Sequence, residues 1–287
     1  MTPDTEQERA ELPHHYSYSA LSQFRSCPKQ FYFERILRLP SPGGEAAVLG
    51  QFVHKVLELF YHLEPDGRTL DAARSIAGCT WTGFVDTPQF VALDLGPSEQ
   101  VHFKQRAWTA IAGTLALEPA RVRVLSTEER IETRIDGVPF LSIIDRADQT
   151  DLGVVITDYK TGNPPSERFR DARLRQLHVY SAVWAAAKAA APVAVRLLYG
   201  SHGIELSEPV SGETVASARS WITKTVETIQ RAHASETFAV NPTQLCGYCP
   251  FQQRCPVFST SARPPRRSPS DGLGAAVQQS LLPSVST

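Results

Sequence analysis

Hydrophobic positions along the chain change period twice. Between Ser19 and Phe60 they recur at helical spacing. In SALSQFRSCPKQFYFERIL, Leu21 and Phe24 share a face behind Ser19 as N-cap. Pro28 closes that helix and can open the next, which places Cys27 at a junction between helices. In GEAAVLGQFVHKVLELFYHL a stripe of Leu49, Phe52, Val53, Val56 and Phe60 predicts one amphipathic helix, with His54 off the stripe and Gly50 one turn before it on the same side. Residues 63–120 read as a helical insertion, helical in its second half around VHFKQRAWTAIAGTL, and carry no evident chemistry.

From Arg121 the period becomes two. RVRVL and RIETRI precede the tight-turn dipeptide Asp136-Gly137; VPFLSIIDRADQ then leads through a turn at Asp151 and Gly153 to VVITDYK. The pattern predicts a meander of about four strands, with the strand carrying Asp145 next to the one carrying Asp158 and Lys160. Residues i and i+2 of a strand share a face, so Asp158 and Lys160 project side by side. Such a pair standing alone is more often a salt bridge than a site.

Beyond Pro164-Pro165 the period returns to helical. RFRDARLRQLHVYSAVWAAAKAA is a helix, basic in its first half, with Gln176 and Tyr180 on one face at i and i+4. Strands follow at VAVRLLYG and GIELSEPV, then a long helix from about 212 to 234. Residues 1–15 are polar and predicted to be loose, and beyond Phe258 a Ser/Pro/Arg/Gly composition without periodicity predicts a disordered tail over 259–287.

Composition narrows the function classes. A net charge of -1 over 287 residues excludes a protein that coats nucleic acid indiscriminately, so any polynucleotide site is a local patch. No apolar run is long enough to span a membrane, and the polar, acidic start is unlike a secretion signal, so the expected location is cytoplasmic with no membrane partner.

GQFVH with His54, SIIDRAD with Asp145, ITDYKTG with Asp158 and Lys160, and QLHVY with Gln176 and Tyr180 occur in the order of the RecB-like branch of the PD-(D/E)XK nuclease superfamily, which the chain resembles from about Tyr18 to Phe258. The second acid is aspartate where many relatives have glutamate. The resemblance implies an α/β fold with a restriction-endonuclease-like core, a short mixed central sheet flanked by helices. It also implies that Gln176 and Tyr180 contact the nucleic-acid strand near the scissile phosphate. Arg173, with Arg168, Arg170 and Arg175, would add salt-sensitive attraction for the backbone, or form a solvated helix face.

Phosphodiester hydrolysis needs an activated water and compensation for charge on the phosphoryl oxygens, both of which a carboxylate-held divalent ion supplies. Asp145 and Asp158, with the Tyr159 carbonyl, are the expected ligands, and oxygen donors favour Mg2+ or Mn2+. A His54 ligand would tilt the preference to Mn2+, and Lys160 would orient the water or steady the pentacoordinate phosphorus. The competing readings are a surface or packed His54, a polar helix face for Gln176 and Tyr180, and a local Asp145–Arg146 ion pair.

Five cysteines do not make a disulfide framework here. Cys246, Cys249 and Cys255, completed by Cys27, resemble the iron-sulfur staple of CRISPR-associated exonucleases and AddB-type repair nucleases. Four thiolates hold a 4Fe-4S cluster or, alternatively, zinc. One ligand before the core and three after it would clasp the two ends of a domain spanning 16–258. Cys79, without a partner in this scheme, is expected to be a buried small hydrophobe.

The expected function is a metal-dependent deoxyribonuclease, an exonuclease or flap nuclease acting on single-stranded DNA in repair, recombination or CRISPR adaptation. The alternative is a non-catalytic nucleic-acid-binding module with a structural metal site. No G-x-x-x-x-G-K-[ST] loop is present, so unwinding would come from a helicase or other repair or CRISPR partner protein. QQSLLP faintly resembles peptides that bind the bacterial sliding clamp.

Overall fold

Asp136 and Gly137, with φ of 48° and 83°, make the tight turn that folds strand β1 (Arg123–Ile135) back on β2 (Val138–Thr150). β3 (Gly153–Tyr159) pairs antiparallel with β2. Helix α7 (Arg170–Lys188) then crosses over, so that β4 (Ala194–Tyr199) runs parallel to β3, and β5 (Ile204–Pro209) closes the far edge antiparallel. The result is a five-stranded mixed sheet in sequential order, the α/β arrangement expected of a restriction-endonuclease-like core. The structure, a computed structural model, describes residues 11–41, 43–118 and 121–259.

Two apolar layers cover the sheet. On one side α1 (Tyr18–Ser26), α2 (Pro28–Phe31), α7 and α8 (Gly212–Ala234) pack against Ile135, Phe140, Ile156, Val195 and Leu197. On the other side α3 (Glu45–Tyr61), α4 (Leu70–Phe84), α5 (Pro88–Val91) and α6 (Pro97–Leu117) pack with Tyr159 and Leu198. The split between Leu197 and Leu198 is the alternation a strand imposes. α6 docks closely on the turn after β4 through Gly113, Ala110 and Thr114. A Cβ on Gly113 would overlap the Gly200 carbonyl, and one on Gly200 would overlap the Ala110 carbonyl.

Several sequence expectations change. The N-cap of α1 is Ser17, whose hydroxyl accepts from the Ala20 amide at 3.3 Å, rather than Ser19. RVRVL and RIETRI are halves of one long strand, β1, so three strands form the meander instead of four. The insertion is helical in its first half too, because Thr69 caps α4 and Trp81 and Phe84 pack on Phe52. Cys79 on α4 is exposed, not buried. No helix among the described residues is long and apolar enough to cross a membrane. The tail peptide QQSLLP lies outside the described residues, as do residues 1–10 and 260–287 of the segments expected to be loose.

Candidate active site

The β1–β2 ladder pairs Thr127 with Arg146 and Glu129 with Ile144, and skips the opposed residues between them, Glu128 and Asp145. Glu128 has φ of 46°, a left-handed conformation that costs a residue bearing a Cβ about 1 kcal/mol. On β2, Ile144 joins the core under α7 and α8, whereas Arg146, two residues on, lies over the Tyr61 ring on the opposite side. Positions i and i+2 ordinarily share a face, so the strand rotates at Asp145. Both acids thereby leave the ladder and meet α3. His54 Nδ1 lies 3.4 Å from Asp145 Oδ2 and 3.6 Å from Glu128 Oε1, and its Nε2 lies 3.1 Å from the Tyr159 carbonyl oxygen. The Tyr159 amide donates to Asp145 Oδ2 at 2.8 Å.

At the end of β3, the Lys160 amide donates to the Leu198 carbonyl and prolongs the register with β4 past Tyr159. Asp158 and Lys160 project together as their spacing requires, with Lys160 Nζ 2.6 Å from Asp158 Oδ2. α7 supplies the third member. Gln176 Oε1 accepts from Lys160 at 2.9 Å, and its Nε2 donates to Asp158 Oδ1 at 3.0 Å and to the Tyr180 hydroxyl at 2.7 Å. Asp158 is buried to 1% exposure, while the His54, Glu128 and Lys160 side chains keep 27%, 29% and 22% of their surface, so these three form the mouth.

Crowding of acids sets the protonation states. Burial pushes the Asp145 carboxyl up, and neighbouring Asp158 raises it further, to about 7, against the opposing pull of His54, the Tyr159 amide and Lys160. Burial by itself lowers the His54 imidazole, but Asp145, Glu128 and Asp158 outweigh it and hold it at about 9. Lys160 is likewise depressed by burial and raised above its ordinary value by Asp158 and Asp145. Such a surplus of carboxylate is what a divalent cation compensates.

Donor spacing agrees with that. One donor atom each from His54, Glu128 and Asp145 lies within 4.8 Å of the others, the one such group of three or more His, Cys, Asp or Glu among the described residues. Adjacent ligands of an octahedral ion with bonds of about 2.1 Å lie about 3 Å apart. The separations of 3.4 and 3.6 Å from His54 Nδ1 to Asp145 and Glu128 are close to that edge, whereas the Tyr159 carbonyl meets the other ring nitrogen. The residues therefore fit Mg2+ or Mn2+. Glu128 has no place among the sequence-predicted site residues, because the polar STEER segment reads as a linker between two strands rather than as the kinked middle of one.

Behind the site stands a buried ion network. Arg146 does not pair with the adjacent Asp145. Its guanidinium donates to Asp148 and to the Tyr159 hydroxyl, each at 3.0 Å, and to Glu118, with its carbon 4.1 Å from the centre of the Tyr61 ring. Arg196 shares Glu118 at 2.9 Å and Asp148 at 3.3 Å. Tyr159 is thus held at its hydroxyl by Arg146 while its main chain faces His54 and Asp145.

The cysteines gather at the opposite end of the chain's path. The Asn241 amide donates to the Ser26 carbonyl at 2.7 Å, the Lys29 amide donates to the Ala239 carbonyl at 3.0 Å, and Phe251 packs on Phe33. These contacts bring 246–255 to the α1–α2 junction that carries Cys27. Burial raises the Cys249 thiol; an amide hydrogen bond at Phe251 opposes this, and Cys255, Cys27 and Cys246 are near enough to raise it further. The four cysteines thus share one region of the fold, but no three of their sulfurs lie within 4.8 Å of one another.

Among curated proteins, none matches the chain. The profile of the PD-(D/E)XK nuclease superfamily matches residues 15–256, from the start of α1 to the last cysteine, and so takes in the sheet, the acids and Lys160. The chain belongs to the PD-(D/E)XK nuclease superfamily.

Proposed function

We propose that this protein is a divalent-metal-dependent deoxyribonuclease of the RecB-like branch, an exonuclease or flap nuclease for single-stranded DNA in repair, recombination or CRISPR adaptation. The observation that carries the reading is the convergence of His54, Glu128, Asp145 and the Tyr159 carbonyl, with Asp158 and Lys160 alongside. These five side chains and one carbonyl have the roles that in-line hydrolysis requires. His54, Asp145, Asp158, Glu128 and the Tyr159 carbonyl hold Mg2+ or Mn2+, which when bound withdraws charge from the phosphoryl oxygens and makes water acidic. Lys160 presents its ammonium to the attacking water and the phosphorus, and Asp158 keeps that ammonium in place.

Arg173 and Arg175, exposed on α7, and Arg168, exposed in the turn before it, supply attraction for the phosphate backbone, and half-exposed Phe169 beside Arg168 offers a ring for an unpaired base. Cys27, Cys246, Cys249 and Cys255 hold a 4Fe-4S cluster, with zinc as the alternative, that fastens the C-terminal segment to α1 and α2. The activity is tested by incubating end-labelled single-stranded DNA with Mn2+ and either the wild-type protein or Lys160→Ala. Loss of label by the wild type alone supports the nuclease. Binding without cleavage by either protein would favour a non-catalytic module.

A further inference from the structure

Gln176 has no free donor. Its two Nε2 hydrogens go to Asp158 Oδ1 and the Tyr180 hydroxyl, and its Oε1 accepts from Lys160. The partners fix the orientation of the amide. An ammonium only donates and an ionised carboxylate only accepts, so a flipped amide would face donor with donor and acceptor with acceptor. A primary amide has two hydrogens, so none remains for a phosphate oxygen, and a phosphodiester has no hydrogen to give Oε1. Tyr180 is 8% exposed, with its hydroxyl turned inward to Gln176. In the first two turns of α7 the charged groups exposed to solvent are Asp171, Arg173 and Arg175.

The helix under Gln176 is firmly seated. Leu174, Leu177 and Val179 are buried against the sheet, so the amide reaches β3 from a fixed platform. Without it, Asp158 and Lys160 would hold one another through a single contact between two side chains of one strand, and the four-carbon Lys160 stem would be free to swing out into solvent. With it, helix, carboxylate and ammonium form a closed three-way bridge.

We propose that Gln176 is a positioning residue, which spans Asp158 and Lys160 and fixes carboxylate and ammonium relative to each other, and that it does not touch the nucleic-acid strand. This rests on the nuclease reading for the roles of Asp158 and Lys160, and departs from the strand contact that the RecB-like resemblance implies for Gln176. Two binding constants separate the possibilities in the full-length protein: that for Mn2+ by calorimetry, and that for a fluorescent single-stranded oligonucleotide by anisotropy in metal-free buffer.

For Gln176→Leu, Mn2+ binding weakens about tenfold or more, the range found when a group supporting a metal ligand is removed. Oligonucleotide affinity stays within about twofold. Gln176→Met, which keeps the length and neutrality of the side chain but has no hydrogen for Asp158 and no oxygen for Lys160, moves the same way and carries the comparison if circular dichroism shows the leucine variant unfolded. Unchanged Mn2+ affinity in these variants, whether or not oligonucleotide binding falls, overturns the inference and leaves the nuclease standing. A wild-type protein that binds no Mn2+ overturns both.

Discussion

Glu128 and Asp145 face each other at a break in the β1–β2 ladder, and each reaches the same imidazole nitrogen of His54, at 3.6 and 3.4 Å. The break is what frees two carboxylates from the alternation of a regular hairpin, and the left-handed φ of Glu128 is the strain that accompanies it.

Replacing Glu128 by Gln keeps the shape and removes the charge. Mn2+ binding measured by calorimetry is expected to weaken about 10- to 100-fold. Unaltered Mn2+ affinity would remove Glu128 from the ligand set.

The protonation states give the metal a definite pH dependence. Without a cation Asp145 titrates near 7 and His54 near 9, and the metal requires the first ionised and the second neutral. Between pH 7 and 9 each bound ion therefore displaces about one proton, and below 7 about two. Affinity falls as pH falls, with a slope of log K against pH near one that steepens below 7. Calorimetry in buffers of different ionisation enthalpy at pH 8 reads proton release directly. A Kd that does not vary from pH 6 to 8 would contradict it.

How much of this was legible in the sequence differs by element. Period-two alternation and the Asp136-Gly137 turn give the hairpin, and the D-x-K spacing places Asp158 and Lys160 on one face, because both depend only on local backbone geometry. Glu128 was hidden because its neighbours Ser126, Thr127 and Glu129 are polar, so a kinked strand looks like a linker. The Arg146 network was hidden for a different reason. Its partners come from Glu118, Tyr61 and Arg196, far apart in the chain, and the adjacent Asp145 offers a false local partner.

Arg146 tests the network's cost. Removing it as Arg146→Met leaves Asp148 and Glu118 buried with only Arg196 to compensate them, a loss of about 3–5 kcal/mol by urea denaturation. Adding Asp148→Leu to Arg146→Met should recover part of that stability, because one uncompensated charge is gone. If the single variant were as stable as the wild type, the network would not be holding Tyr159.

The clasp makes a separate prediction. Anaerobically purified protein is expected to be brown, and Cys249→Ser to lose both the colour and several degrees of melting temperature, since the proposed cluster would tie 246–255 to α1 and α2. Colourless protein with one zinc per chain would replace the cluster by zinc.

Gly113→Ala is expected to be more damaging than its one added carbon suggests. The new methyl meets the Gly200 carbonyl, which cannot rotate away, so overpacking costs about 1–3 kcal/mol or more. The thermal midpoint should fall by several degrees, whereas Gly83→Ala, with open space around its Cβ position, should leave it unchanged or higher.

Main chain resting on main chain at Gly113 and Gly200 also constrains how this scaffold can diversify. Side-chain interfaces drift by exchanging volumes between partners, but two glycines each facing the other segment's main chain have no side-chain volume to exchange. α6 is therefore a fixed rail, and descendants that acquire new substrate preferences would do so by rebuilding what is mounted on it, in the helices of 63–95, while the rail's seat against β4 stays where it is.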